Sequence, residues 1–324
     1  MEDRLAAQGI QIREFQWEDI PAQVRIRNRL FPDTPQAVES VEHFEHTYPP
    51  DNPRCRYAVN NAAGTLVGLG VCDVPVWLDA PGVYRFYAMV DPDWQRRGIG
   101  RALLARLEQY ADRQGAVRLI SDCLENMDGS IRFLERSGFR QFGLRFESVC
   151  DLTSFDESRF PSVIDRVTSA GYEITTLAAE RLINANADRD LYDLDEVISE
   201  DIPWPGGLRA SISYENFRRM TLDSPEADPA AIFIAKRAGV YTGYTAISFR
   251  SSSSTYTSMT GVRREHRGHG LALALKLRSF RLMKERGCTE TTTHNDTANQ
   301  AILALNRKLG YQKRPGVLLW EKML

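Results

Sequence analysis

Two short stretches of this 324-residue chain carry residue types suited to holding an anion. The first is Gln95, Arg96, Arg97, Gly98, Ile99, Gly100, Arg101 and Ala102; the second is Arg267, Gly268, His269, Gly270, Leu271 and Ala272. Each lies between a strand-like segment and a long amphipathic one. A helix that starts at such a turn leaves its first backbone amides without partners and places partial positive charge there. Glycine lets the backbone approach a ligand unobstructed by a side chain. The combination is a cradle for a phosphate or pyrophosphate, reinforced by the arginines around it.

The cradles do not stand alone. FLERSGF (Phe133 to Phe139) follows the first and LNRKLGY (Leu305 to Tyr311) follows the second. Gly98 to Gly138 spans 40 residues and Gly268 to Gly310 spans 42, and the turns recur 170 residues apart. Matched order at a domain-sized period indicates a duplicated domain. The turn is not a Walker loop, since G-x-x-x-x-G-K-[ST] is absent, nor the G-x-G-x-x-G dinucleotide fingerprint.

The elements that must position these residues follow from periodicity. In the first half Ile10 to Phe15, Tyr57 to Val59, Leu66 to Val71, Tyr84 to Val90, Val117 to Ser121 and Phe146 to Leu152 are expected strands. Leu103, Leu104, Leu107, Tyr110 and Ala111 fall on one face of a helix that stops at Gly115. The second half repeats the order, with a hairpin at Ala238-Gly239 and the strand Thr255 to Val262 before its cradle. SEDIPWPGG, from Ser199 to Gly207, is an expected loop with Trp204 as lid or core.

Composition sets the frame. Hydrophobic content of 43%, charged content of 26% and a net charge of −2 are those of a globular chain, with no overall pull toward nucleic acid or acidic membranes. Five scattered cysteines without a C-x-x-C pair fit reduced, buried thiols. No apolar run reaches membrane-spanning length, and the expected location is cytoplasmic.

The string V-D-P-x-x-Q-R-R-G-I-G-R-A-L resembles the acetyl-CoA-binding motif of the GNAT superfamily of N-acetyltransferases, written Q/R-x-x-G-x-G/A. FLERSGF and LNRKLGY resemble that family's second signature, a helix ending in G-F or G-Y. The resemblance covers nearly the whole chain and implies two tandem α/β (α+β) domains, each a mixed, mostly antiparallel sheet flanked by helices. The expected division is 1–153, a linker or bridging helix at 154–171, and 172–324.

The resemblance implies that the amides of Arg97 to Ala102 and of Arg267 to Ala272 bind the pyrophosphate of acetyl-CoA, with Gln95 and Arg96 beside them. Ala88, Met89 and Val90, and Thr260, Gly261 and Val262, lie where the family parts two strands to receive the pantetheine arm. There the Val90 or Val262 amide would polarise the thioester carbonyl. Asn126 and Asn299 match the asparagine preceding the last helix. Two departures stand out: Glu265 occupies the first motif position of the second copy, and the family's proton-donating tyrosine is Leu134 in one half and Asn306 in the other. Asn306 is a candidate to hydrogen-bond the sulfur or pantetheine.

An ammonium cannot attack, so a base is required. Candidates are Glu200, Asp201, Asp73 and His294. His43 and His46 are read as surface histidines, and no metal is expected. The expected activity is acetyl transfer from acetyl-CoA to a primary amine of a small molecule, with the second half catalytic, in a monomer or homodimer without nucleic-acid or membrane partners. A coenzyme-A-binding protein without turnover, and an acetyltransferase acting on a protein amine, are the alternatives.

Overall fold

The computed structural model describes residues 1–324 except positions 1, 79, 204–207, 209 and 210. Trp204 therefore lies outside the described residues. The first half forms Gln11–Glu14 (β1), Arg54–Asn60 (β2), Leu66–Asp73 (β3), Val83–Val90 (β4) and Arg118–Leu124 (β5), side by side in that order. All neighbours are antiparallel except β4 and β5. Helix Ile20–Leu30 (α1) buries Ile20, Val24 and Ile26, and helix Ile99–Arg113 (α2) buries Ile99, Leu103, Leu104, Leu107 and Ala111. Asp128–Arg136 (α3) follows β5. Each fully buried Leu of α2 contributes about 1.5–3 kcal/mol.

The division of the chain differs from the expected one. One compact unit comprises residues 1–143 together with 318–324, and the other comprises 144–317. The strand beside β5 is Val317–Met323, from the far end of the chain. It is tied there by Glu321 to Arg118 at 2.5 Å, by Lys322 to Glu108 at 2.6 Å, and by the Leu324 amide to the Val117 carbonyl at 3.1 Å. The strand expected over Phe146 to Leu152 forms as Arg140–Asp151 (β6), whose residues 145–151 belong to the second unit and run antiparallel to one of its strands. An edge strand is chosen by whichever partner pairs with it, and local sequence does not encode that choice.

The second unit contains Glu173–Thr176 (β7), Ile232–Arg237 (β8), Val240–Phe249 (β9), Ser254–Val262 (β10) and Glu290–Asp296 (β11), in the order β7-β8-β9-β10-β11-β6. The short Gln312–Lys313 (β12) also lies on β6. The stretch 154–171 holds the helix Val163–Ser169 (α4), and Phe155, Phe160, Val163 and Val167 pack into this unit's core. Ala187–Ser199 (α5) covers one face of the sheet; Leu271–Glu285 (α6) and Gln300–Leu309 (α7) cover the other.

Helix α5 is held against the sheet by two contacts. The Tyr244 hydroxyl of β9 donates to Asp195, whose carboxyl burial pushes up to about 6. At Gly261 of β10, a Cβ would lie 2.1 Å from Ile198 Cγ2, so only glycine lets the helix approach this closely. Gly261→Ala is expected to lower unfolding free energy by about 1–3 kcal/mol, and Ile198→Ala in the same chain to return part of it. Denaturant unfolding of the two variants checks this; equal stability of Gly261→Ala and the parent would refute the contact.

Candidate active site

The site is built from the ends of two parallel pairings. Strands β4 and β5 pair only from Val83–Arg85 to Arg118–Ile120, and β10 and β11 only from Ser254–Tyr256 to Glu290–Thr292. Beyond these points β10 continues along β9 while β11 continues along β6, so the strands part. The Arg263 amide donates to the Thr242 carbonyl at 2.8 Å, and the Asp91 amide to that of Val67 at 2.9 Å. Bonds alternate along an antiparallel pair, so the amides of Thr260 and Val262, and those of Ala88 and Val90, face the gaps. Met89 and Gly261 face the neighbouring strand instead.

At the end of each gap stands the cradle. Gly98 caps α2 with φ +93 and Gly270 caps α6 with φ +83. The first intrahelical bonds run from Ala102 to Gly98 and from Ala274 to Gly270, leaving the amides of Ile99, Gly100 and Arg101, and of Leu271, Ala272 and Leu273, without acceptors in the helix. Ile99, Ala102 and Leu271 are buried, whereas Gln95, Arg96, Arg97, Arg101, Arg267, Gly268, His269 and Gly270 are exposed. Nothing lies within 4 Å of a Cβ placed on Gly98, Gly268 or Gly270. The cradle is thus open backbone.

The helix caps correct the alignment of the two copies. Gly270, not Gly268, corresponds to Gly98, and Gly268 (φ +83) corresponds to Arg96 (φ +64). Arg267 then takes the place of Gln95. Gln95 Nε2 donates to the Val90 carbonyl at 3.1 Å, and Arg267 Nε to the Val262 carbonyl at 3.0 Å. Glu265 therefore does not occupy the first motif position. The copies read Gln95-x-x-Gly98-x-Gly100 and Arg267-x-x-Gly270-x-Ala272, and Gly270 stands 40 residues before Gly310, as Gly98 does before Gly138.

Each cradle is clamped by a residue at or just past the end of another helix of its unit, with the charges reversed. Arg29 of α1 grips Asp91 at 2.6 and 2.8 Å and Asp93 at 3.0 Å. Asp201, just past α5, pairs with both Arg264 and Arg267. The Arg264 guanidinium, followed by that of Arg267, holds its carboxyl down at about 2. Asp201 is therefore committed as a clamp. Asp73 is likewise engaged, fully buried against Arg85 at 2.7 and 3.0 Å. Glu200 is exposed at the end of α5, where its charge acts on Arg264.

The two faces of the second gap differ. On the α6–α7 face, Thr257 and Thr291 hydroxyls lie 3.3 Å apart and Thr293 Oγ1 donates to the Thr257 carbonyl at 3.0 Å. Asn306 Nδ2 donates to Asn295 Oδ1 at 2.7 Å, while Asn306 Oδ1 is buried without a partner. Asn299 caps α7, accepting from the Ile302 amide at 3.3 Å, whereas Asn126 is exposed. Behind this face Lys276, buried on α6, reaches the Tyr311 hydroxyl at 3.4 Å, and burial lowers it to about 7. Its interruption of the apolar run LALALKLRSF was the signal that could have marked it.

On the α5 face, two residues beyond the last paired position of β11, lies His294. Its ring is 5.7 Å from that of Tyr256, and burial, followed by Arg145 and Arg250, lowers it to about 4. The imidazole is neutral at physiological pH. Asp122 takes the corresponding place on β5 of the first unit; it is exposed and its charge acts on Arg85. Sequence reading missed Asp122 because the strand's end was set at Ser121. Elsewhere His46 packs on Trp17 at 4.1 Å, His266 Nδ1 lies 3.0 Å from the Tyr172 hydroxyl, and His269 Nδ1 lies 3.0 Å from the Arg267 carbonyl. Among the described residues no group of three or more His, Cys, Asp or Glu could hold a metal ion, and no helix is long and apolar enough to cross a membrane.

Parted strands leading to a glycine-capped helix, twice, define a class of domain that cradles an anion at the end of an opened sheet. Residues 16–139 and 192–311 each match the model of the acetyltransferase (GNAT) family, and the chain belongs to that family. A 111-residue stretch, 32% of this chain, is 30% identical to a mycothiol acetyltransferase of Thermobispora bispora and spans 37% of that relative's length. Two solved structures share the tandem fold at TM-score 0.70 and 19% identity. One is a GCN5-related N-acetyltransferase of Sphaerobacter thermophilus, with 97% of this chain and 95% of that one covered. The other is a tandem GNAT protein from the clavulanic acid biosynthesis pathway, with 97% and 98% covered.

The residues present fit acetyl-CoA: open amide cradles, unpaired strand edges, and a buried Asn306 oxygen that lacks a donor. If the copies are independent, titration calorimetry with coenzyme A should give two binding events in the parent and one in either Gly98→Glu or Gly270→Glu. Loss of both events in a single variant that remains folded would refute independence.

Proposed function

We propose that the second unit transfers an acetyl group from acetyl-CoA to a primary amine of a small molecule. The observation supporting this is the neutral His294, seated at the fork of the parted strands on the face that α6 and α7 leave uncovered. Bound acetyl-CoA supplies the acetyl thioester. The Arg267–Ala272 turn would hold its pyrophosphate, and the edge from Thr260 to Val262 would hold the arm. The Thr260 and Val262 amides donate toward any carbonyl lying in the gap, where a fixed N–H stabilises developing negative charge. The acceptor must attack as the free amine, and the unprotonated ring of His294 would take the proton that its nitrogen sheds as the C–N bond forms, while the thiolate would leave to be protonated by water. Asn306 orients from the opposite face, and no side chain at its position or at Leu134 can donate a proton as an acid. The first unit holds coenzyme A without turnover in this reading.

One observation favours a second reading, with catalysis in the first unit: Asp122 is a carboxylate at the place matching His294. Paired variants separate the two. In thiol-release assays over a panel of small amines, His294→Ala is expected to lower kcat by about 10²–10⁴-fold and Asp122→Ala to leave it within about twofold. The opposite pattern would move catalysis to the first unit; no turnover on any amine would leave a coenzyme-A-binding protein. Because the folded imidazole titrates near 4 rather than at its ordinary 6.5, it stays unprotonated down to that pH. The acid limb of kcat should therefore fall near pH 4, and a limb at 6.5 that vanishes in His294→Ala would contradict this environment.

A further inference from the structure

The face of the second sheet that carries His294 also carries an arginine, Arg250, with no carboxylate partner among the described residues. Strand register sets its membership. Tyr256 pairs with Thr292 across β10 and β11, and with Ser248 across β10 and β9, while His294 pairs with Glu147 and Asp296 with Arg145 across β11 and β6. Cross-strand partners share a face and alternate residues return to it, so Arg145, Glu147, Tyr256, Thr292, His294 and Asp296 lie together on the α5 side. The Arg250 guanidinium joins them from the end of β9, stacked 4.1 Å over the Tyr256 ring.

Of the carboxylates on this face, Asp296 accepts from the Ala298 amide at 2.8 Å. Glu290, also on β11, is engaged by Arg314 at 2.9 Å and by the Ser254 hydroxyl at 3.2 Å. Arg145 and Glu147 have partners of their own. Among the described residues Arg250 has no carboxylate within ion-pairing distance; it has the Tyr256 ring, and it acts with Arg145 on His294. Thr292 Oγ1, buried on the same face, has no hydrogen-bond partner. A guanidinium centred 4.1 Å from an aromatic ring keeps N–H donors available for a planar anion.

We infer that Arg250, seated on Tyr256 beside His294, forms a carboxylate subsite, so that the acceptor is an amine bearing a carboxylate, of the amino-acid class. This rests on the acyl-transfer reading of the same gap. The carboxylate occupies Arg250, its amine reaches His294 across the Tyr256 ring, and a decarboxylated or amidated analogue lacks the anchor. A bidentate arginine–carboxylate pair also fixes which nitrogen faces the imidazole, because the fork admits one planar orientation.

Two measurements test the subsite separately from turnover. Succinate, which has carboxylates but no amine, is titrated into the protein while the His294 ring-proton resonance, assigned by its loss in His294→Gln, is followed by NMR. A saturable shift is expected, weakened at least tenfold in Arg250→Gln and in the charge-retaining Arg250→Lys, which loses the planar fork. Absence of a saturable shift, or equal binding by folded Arg250→Gln, overturns the subsite. In acetyl-transfer assays each amino acid of a panel is compared with its own carboxamide. A kcat/KM at least tenfold higher for the acids supports the inference, and equal values overturn it while leaving acetyl transfer intact. Succinate binding as expected with no amine turned over would instead remove the acyl-transfer reading and leave an anion site.

Discussion

The site depends on a pairing that stops. Two parallel strands hold together for three positions and then part, β10 and β11 each following a different antiparallel neighbour, which leaves an edge of unbonded amides inside the sheet. Buried edges are normally avoided because each unpaired N–H and C=O is costly. Here the expense is concentrated where a ligand with its own amides would complete the ladder. Everything else in each unit serves that opening: the capped helix at one end, the polar side chains at the fork, and the helix-end residue that clamps the turn.

Duplication kept this geometry while exchanging its chemistry. Both helix caps have positive φ, and both strand ends surrender a carbonyl to the first motif residue, glutamine in one copy and arginine in the other. The clamp survives with its signs inverted, arginine to aspartates in the first unit and aspartate to arginines in the second. An ion pair is indifferent to which side supplies which charge, so drift can reverse it provided both partners change. The fork residues differ more. Leu134 and Asp122 in one unit occupy the positions that Asn306 and His294 occupy in the other.

What was legible in the sequence was local. The cradles, their helices and the second signature each fit in a window of a dozen residues, where glycine placement and apolar period decide the structure. The alignment of the second copy slipped by two because Gly268 and Gly270 look equivalent in a string. Only dihedral angles show which one caps the helix. The charged face around His294 was illegible because it is assembled from β6, β9, β10 and β11, and because the register shift between Thr257 and Met259 breaks simple alternation. The division into units was illegible for the same reason, as strand partners lie far apart in the chain.

That last arrangement has a consequence for how the molecule is made. During synthesis residues 1–143 emerge first, yet the strand that completes their sheet is at 318–324. The flank of β5 therefore stays uncovered until residues 318–324 are made, whereas residues 144–317 hold all of their own unit before then. A single cut between the repeats therefore cannot release two complete halves.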